Sequence, residues 1–134
     1  MADEVKRVEK PWGFEEIWAV TERYVGKLIV IEPGKRLSLQ YHERKDESIR
    51  VLAGILRLHL ESDTGELEIH DLPPGSSRRV PTGRRHRFEA VDELREQAHV
   101  FRASRLWQHQ RLNTFADGRL DVAHHLPAQA DWAE

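Results

Sequence analysis

From Phe14 to about residue 102, short apolar runs alternate with turn signals. FEEIWAV (14–20) runs into Thr21-Glu22, and RYVGKLIVI (23–31) into Glu32-Pro33-Gly34. LSLQYH (37–42) precedes the charged stretch ERKDE, and SIRVLAGILRLHL (48–60) reads as two strands joined near Ala53-Gly54. Within it Leu56, Leu58 and Leu60 alternate with Arg57, His59 and Glu61, the period of a half-buried strand. ELEIHDL (66–72) ends at Pro73-Pro74-Gly75, RRV (78–80) at Pro81-Thr82-Gly83, and HRFEAV (86–91) alternates again. Strands this short and this regularly punctuated predict an antiparallel sandwich or barrel. No long stretch carries the period of an amphipathic helix.

The two ends differ. Residues 1–10 read as a charged lead-in. Beyond about Ser104 the pattern fades: SRLWQHQRLN (104–113) could form a short helix, and for residues 119–134 a docked arm and a partly mobile extension both stay open. At 134 residues the chain is expected to be one domain, with a barrel core over about 10–102 and a divergent extension over 103–134. A domain this size buries roughly two thirds of its unfolded surface and needs no covalent staple.

Composition narrows the chemistry. Cysteine is absent, which excludes disulfides, a thiolate nucleophile and Cys-based metal sites. Lys+Arg is 21 and Asp+Glu 23, so no basic excess points to nucleic acid or an anionic membrane. No apolar run approaches the ~20 residues of a membrane span, and MADEVKRVEK lacks a signal-peptide core. The expectation is a soluble cytoplasmic protein with neither nucleic-acid nor membrane partner. Eight histidines remain.

Gln40 and His42 are two apart, hence on one face of a strand. Glu47 opens the next strand and His86 a later one. If LSLQYH lies beside ESIRVL, then Gln40, His42 and Glu47 converge and His86 reaches them from across the sheet. Two imidazoles, a carboxylate and an amide oxygen suit a divalent metal such as Zn, Mn, Fe(II), Co or Ni. His59 and His70 read as solvent-facing or satisfied strand positions, and His124-His125 as an exposed tail pair. Trp12 and Trp18 read as packing residues, and Phe88 as barrel lining.

The spacing resembles the cupin superfamily, all-β double-stranded β-helices (jelly-roll barrels) whose two motifs build one metal site. The first motif is Gly34, Gln40, His42, Glu47 and Gly54; the second is Gly75, Pro81, Gly83 and His86. Gln40 stands where most cupins have a histidine, which is similar to phosphomannose isomerases. Ala90 stands where an asparagine is common. KPWGFE (10–15) and PGKRLSLQYH (33–42) are similar to the mannose-6-phosphate isomerase-type domain that follows a guanylyltransferase in bifunctional bacterial enzymes. The resemblance covers roughly residues 8–93. LREQAHVFRASRLWQHQRLN (94–113) departs from it, although HVF (99–101) could close the barrel.

The resemblance implies aldose–ketose isomerisation of a sugar phosphate through an enediolate, with a metal held by Gln40, His42, Glu47 and His86 as Lewis acid. It offers Lys45 as the proton-transfer base, whereas Tyr41 alternates away from the Gln40/His42 face. Arg84 and Arg85, beside His86, are candidates for the substrate phosphate, against the alternative of a solvated basic edge. Two other readings stay open: a non-catalytic sugar-binding cupin, and a metal-dependent dioxygenase. Cupins often pair through an edge strand, so a homodimer is expected, with residues 8–20 contributing.

Overall fold

The computed structural model describes residues 4–43 and 45–105. Nine strands occur among them: β1 (Lys6–Lys10), β2 (Gly13–Val20), β3 (Tyr24–Ile31), β4 (Asp46–Ala53), β5 (Leu56–Glu61), β6 (Leu67–Leu72), β7 (Ser77–Val80), β8 (His86–Ala90) and β9 (Ala98–Arg105). They form two antiparallel sheets, one of six strands in the order β1-β2-β3-β9-β4-β7 and one of three in the order β6-β5-β8. No helix among the described residues is long and apolar enough to cross a membrane.

The alternation read from the sequence is the alternation that packs. Leu56, Leu58 and Leu60 of β5 turn inward, as do Ile49 and Val51 of β4, Phe88 and Ala90 of β8, and Ala98 and Val100 of β9. With Ile29 and Ile31 of β3 they make one apolar core between the sheets. Each such side chain contributes roughly 1.5–3 kcal/mol by leaving water. Trp12 packs against this core. Trp18 instead lies outside, 49 % exposed, its ring across Gly26 and 6.1 Å from that of Phe101.

Three sequence expectations change. The charged lead-in contains β1, paired with β2 from Lys6↔Ile17 to Lys10↔Gly13. LSLQYH is not a continuous strand and does not lie beside β4, whose partners are β7 and β9. It crosses to the small sheet, and the stretch from Arg36 to Gln40 touches β8 through two isolated bridges, Arg36↔Glu89 and Gln40↔His86. The cause is the turn at Glu32-Pro33-Gly34-Lys35, closed by Lys35 N–H to the Glu32 carbonyl at 3.0 Å, with Gly34 at φ +78°. Proline followed by a positive-φ glycine is a type II turn, and it redirects the chain away from β3. Third, β9 is longer than the predicted HVF and takes in Ser104 and Arg105, the first residues of the expected helix. The rest of that helix, the extension 106–134 and the His124-His125 pair lie outside the described residues.

Candidate metal centre

Four ligand-type side chains reach the barrel interior by different local devices. Gln40 and His86 face one another across a narrow antiparallel bridge, Gln40 N–H to His86 carbonyl at 3.0 Å and His86 N–H to Gln40 carbonyl at 2.8 Å. The His42 carbonyl accepts from Gly83 N–H at 2.7 Å, which ties the first motif to the turn of the second. Glu47 occupies an inward position of β4, opposite Val80 of β7 and Ser104 of β9. All four are at most 3 % exposed.

Ligand atoms of His42, Glu47 and His86 all lie within 4.8 Å of one another. Glu47 Oε2 is 3.6 Å from His42 Nε2 and 3.5 Å from His86 Nε2, and the two rings are 5.4 Å apart. His86 Nδ1 is 2.9 Å from the Arg84 carbonyl. A carbonyl only accepts, so Nδ1 carries the proton and Nε2 presents its lone pair to the centre, the orienting device typical of metal-bound histidine. Gln40 Oε1, His42 Nδ1 and His86 Nε2 are buried without a hydrogen-bond partner. Buried polar atoms are rarely left so, and a nitrogen/oxygen donor set with unspent lone pairs fits a divalent cation.

Charge inside the barrel is set by neighbours. Burial, then the Lys45 ammonium, hold the His42 imidazole well below its ordinary range, so it is neutral and able to ligate at pH 7. Burial alone would raise Glu47, but Arg102 and Lys45 outweigh it and keep the carboxyl well below the usual range. Lys45 is itself 4 % exposed. Lys45 is thus enclosed near enough to act electrostatically on both His42 and Glu47.

Arg84 and Arg85 each have partners within the protein. Arg84 donates to the Glu61 carbonyl at 3.1 Å and pairs with Asp63. Arg85 pairs with Glu61 and donates to the Gly65 carbonyl at 3.0 Å. Both guanidinium groups are thus engaged by the β5–β6 turn, and what Arg84 gives the centre is its backbone carbonyl. His59 is satisfied by Glu89 at 2.9 Å, and His70 lies 3.5 Å from Glu68.

Sequence reasoning missed Arg102. Its Nε donates to Glu47 Oε1 at 2.6 Å, and its Nη2 to Glu47 Oε2 at 3.3 Å, with His42 Nε2 at 3.5 Å. Arg102 also lines a cleft of about 10 Å³ with Ser38, Gln40, His86 and Phe88, room for one water. Also missed were Glu15 and Lys27, 3.3 Å apart and both buried. A signal existed: each of the three is in phase with buried apolar positions of its strand, Glu15 with Ile17, Lys27 with Ile29 and Arg102 with Val100.

Two facing antiparallel sheets enclosing a His/Glu/His cluster define a cupin barrel. Solved structures carry the same fold: Bacillus subtilis oxalate decarboxylase aligns at TM-score 0.66 and 19% identity over 76% of this chain and 27% of that one. The capsular polysaccharide assembling protein CapF of Staphylococcus aureus aligns at TM-score 0.66 and 14% identity over 75% of this chain and 30% of its own. Within that class, the sequence profile "Mannose-6-phosphate isomerase C-terminal" matches residues 2–96, and the chain belongs to that family. Among curated relatives, mannose-1-phosphate guanylyltransferase ManC of Salmonella typhimurium is 33% identical over 84 residues, 63% of this chain and 16% of that protein. The xanthan biosynthesis protein XanB of Xanthomonas campestris is 32% identical over 89 residues, 66% of this chain and 18% of that protein. The chain spans less than a fifth of the length of these relatives.

Proposed function

We propose that this cupin holds a divalent metal through Gln40, His42, Glu47 and His86 and interconverts an aldose and a ketose phosphate, with mannose 6-phosphate and fructose 6-phosphate as the first pair to test. The observation that carries the reading is the buried convergence of three carboxylate and imidazole ligands beside the unpartnered Gln40 amide oxygen, in a member of this family. A bound cation would polarise the sugar carbonyl and offset the charge of an enediolate. The chain's own groups do the rest. Lys45, enclosed beside Glu47 and His42, moves the proton between C1 and C2. His86 is fixed by the Arg84 carbonyl, and the apolar wall at Phe88 keeps bulk water from the reacting carbons. A sugar phosphate is far larger than the present cleft, so its entry requires side chains at the centre to move.

The test is interconversion of the two sugars by protein stripped with chelator and then restored with Mn, Zn, Co, Ni or Fe(II). Lys45→Met is expected to lower turnover by about 10²–10⁴-fold while leaving metal content unchanged. Restored protein that neither turns over nor binds either sugar would sink the isomerase reading. Ligand affinity without turnover would favour a sugar-binding module, and Fe(II)-dependent oxygen uptake a dioxygenase. A sugar-phosphate substrate supports a cytoplasmic location. The outer edge of β1, which no strand pairs among the described residues, supports a homodimer formed through residues 8–20, for which the test is sedimentation.

A further inference from the structure

Arg102 is a cation built into the heart of the ligand cluster. It is 3 % exposed, and strand alternation along β9 turns it inward with Ala98, Val100 and Ser104. Its two donors span both oxygens of Glu47, and Nη2 stands beside His42 Nε2. Glu47 Oε2, the atom nearest both histidines, is the atom Nη2 contacts. A planar guanidinium with its five donors is also the group best shaped to grip a carboxylate or phosphate in two-point fashion.

We infer that Arg102 competes with a divalent metal for Glu47 and, when the metal takes that carboxylate, serves as the anchor for an oxyanion ligand, so that metal and oxyanion bind cooperatively. The inference rests on the metal reading above. A metal drawn to Glu47 Oε2, the oxygen nearest both histidines, would share that oxygen with Arg102 Nη2 and lie close to the guanidinium charge. A metal ion and a guanidinium enclosed together repel, because the interior screens charge poorly. An anionic ligand offsets that repulsion, and the same guanidinium supplies its donors. Arg102 also lines the cleft, so its displacement from Glu47 is a movement that makes room.

Calorimetric titration of metal-stripped protein with Mn²⁺ tests this, comparing wild type, Arg102→Gln and Arg102→Lys, each alone and with sulfate or mannose 6-phosphate. Arg102→Gln is expected to bind Mn²⁺ at least about tenfold more tightly than wild type, a gain of one decade for a modest part of a buried pair's strength. Sulfate or mannose 6-phosphate should tighten Mn²⁺ binding to wild type at least about threefold and leave Arg102→Gln unchanged, by the reciprocity of coupled sites. An effect of mannose 6-phosphate alone means that the sugar is also gripped; an effect of both means that the oxyanion suffices. Arg102→Lys keeps the charge and should stay within about threefold of wild type for Mn²⁺, and circular dichroism checks that each variant is folded. Equal or weaker Mn²⁺ binding by folded Arg102→Gln, or an anion effect that persists in it, overturns the inference while leaving the metal site standing. Absence of Mn²⁺ binding in every folded variant, wild type included, removes the metal reading and this inference together.

Discussion

The Glu47–Arg102 pair should be the strongest single electrostatic coupling in the metal-free barrel. Both side chains are at most 3 % exposed and meet through two donor–acceptor contacts, at 2.6 and 3.3 Å. Unit charges 3.3 Å apart interact by about 5 kcal/mol at an effective dielectric constant of about 20. Desolvation offsets part of this, and breaking such a pair from one side typically costs about 3–5 kcal/mol. Glu47→Gln leaves the cations Arg102 and Lys45 enclosed with one negative charge fewer, so it should lower stability by about 3–4 kcal/mol. Arg102→Gln should cost about 3 kcal/mol for the converse reason. The double variant removes both charges, so its cost should fall to about 1–2 kcal/mol, well short of the sum. Urea unfolding in EDTA at pH 7.5 gives the four free energies of the cycle. Single-variant costs that add to within about 0.5 kcal/mol would show that the two groups do not stabilise one another, and the electrostatic account of the centre would be wrong.

Three other outcomes follow from the same coordinates. His42 is held below its ordinary range by burial and Lys45, so the unfolded chain binds more protons below its own pKa of about 6.5, and metal-free stability should fall as pH drops below that value, by at most about 1.4 kcal/mol per pH unit. His42→Gln should flatten this slope in urea midpoints taken at pH 7.5, 6.5 and 5.5, and a slope unchanged by the substitution would refute the assignment; Glu47, displaced in the same direction, acts only below about pH 4.5. Gly54 and Gly75 both have positive φ, but a Cβ at Gly54 would stand 2.2 Å from the Gln97 carbonyl oxygen, whereas at Gly75 nothing lies within 4 Å. Gly75→Ala should therefore cost only the backbone term of about 1–2 kcal/mol and Gly54→Ala clearly more, with equal melting temperatures as the contrary result. Mn²⁺ at about a hundred times its dissociation constant should add about 2.7 kcal/mol of stability, and His86→Ala should abolish that gain in a thermal-shift experiment; a gain that survives would place the ion elsewhere.

Legibility followed how strongly each segment declares its two faces. Strands β5 and β8 alternate apolar and polar residues and bury every second one, so their period is visible in the letters, whereas β9 buries Arg102 and Ser104 in phase with Ala98 and Val100 and hides its period. β1 was missed because KRVEK has a single apolar residue, Val8, and no buried position. LSLQYH has the composition of a strand, but strand pairing depends on neighbours remote in sequence, and the Pro33-Gly34 turn hands it to β8 instead of β4. Motif spacing singles out His42, Glu47 and His86, whose ligand atoms gather within 4.8 Å, although the strand pairing expected to join them is not the one observed. The engagement of Arg84 and Arg85 by Glu61, Asp63 and Gly65 could not be read ahead of the structure, since it depends on how the β5–β6 turn folds back.

Cross-strand register explains why polar groups missed along the sequence gather where the motif residues do. Across three neighbouring strands the inward polar groups gather toward one end, interleaved with Val25 and Ile49, and the other end is wholly apolar. Lys27 lies opposite Arg102, and Arg102 opposite Ile49, two pairs along from Glu47↔Ser104 and on the same face. Beyond them come Ile29↔Val100 and Val100↔Val51, then Ile31↔Ala98. β8 follows the same order from His86 to Phe88 and Ala90. One end of the barrel interior is therefore a packed hydrocarbon plug that can supply folding energy. The other holds Lys27, Arg102, Glu47 and the histidines, with Glu15, opposite Ile29, reaching Lys27 at 3.3 Å, and the enclosure of these groups costs stability unless charges are paired. A protein that needed only a barrel would gain by filling both ends with Ile and Val. Retaining opposed charges at one end is justified by a ligand that exploits them, and a metal together with an oxyanion is the ligand pair whose charges match a site offering both carboxylate and guanidinium.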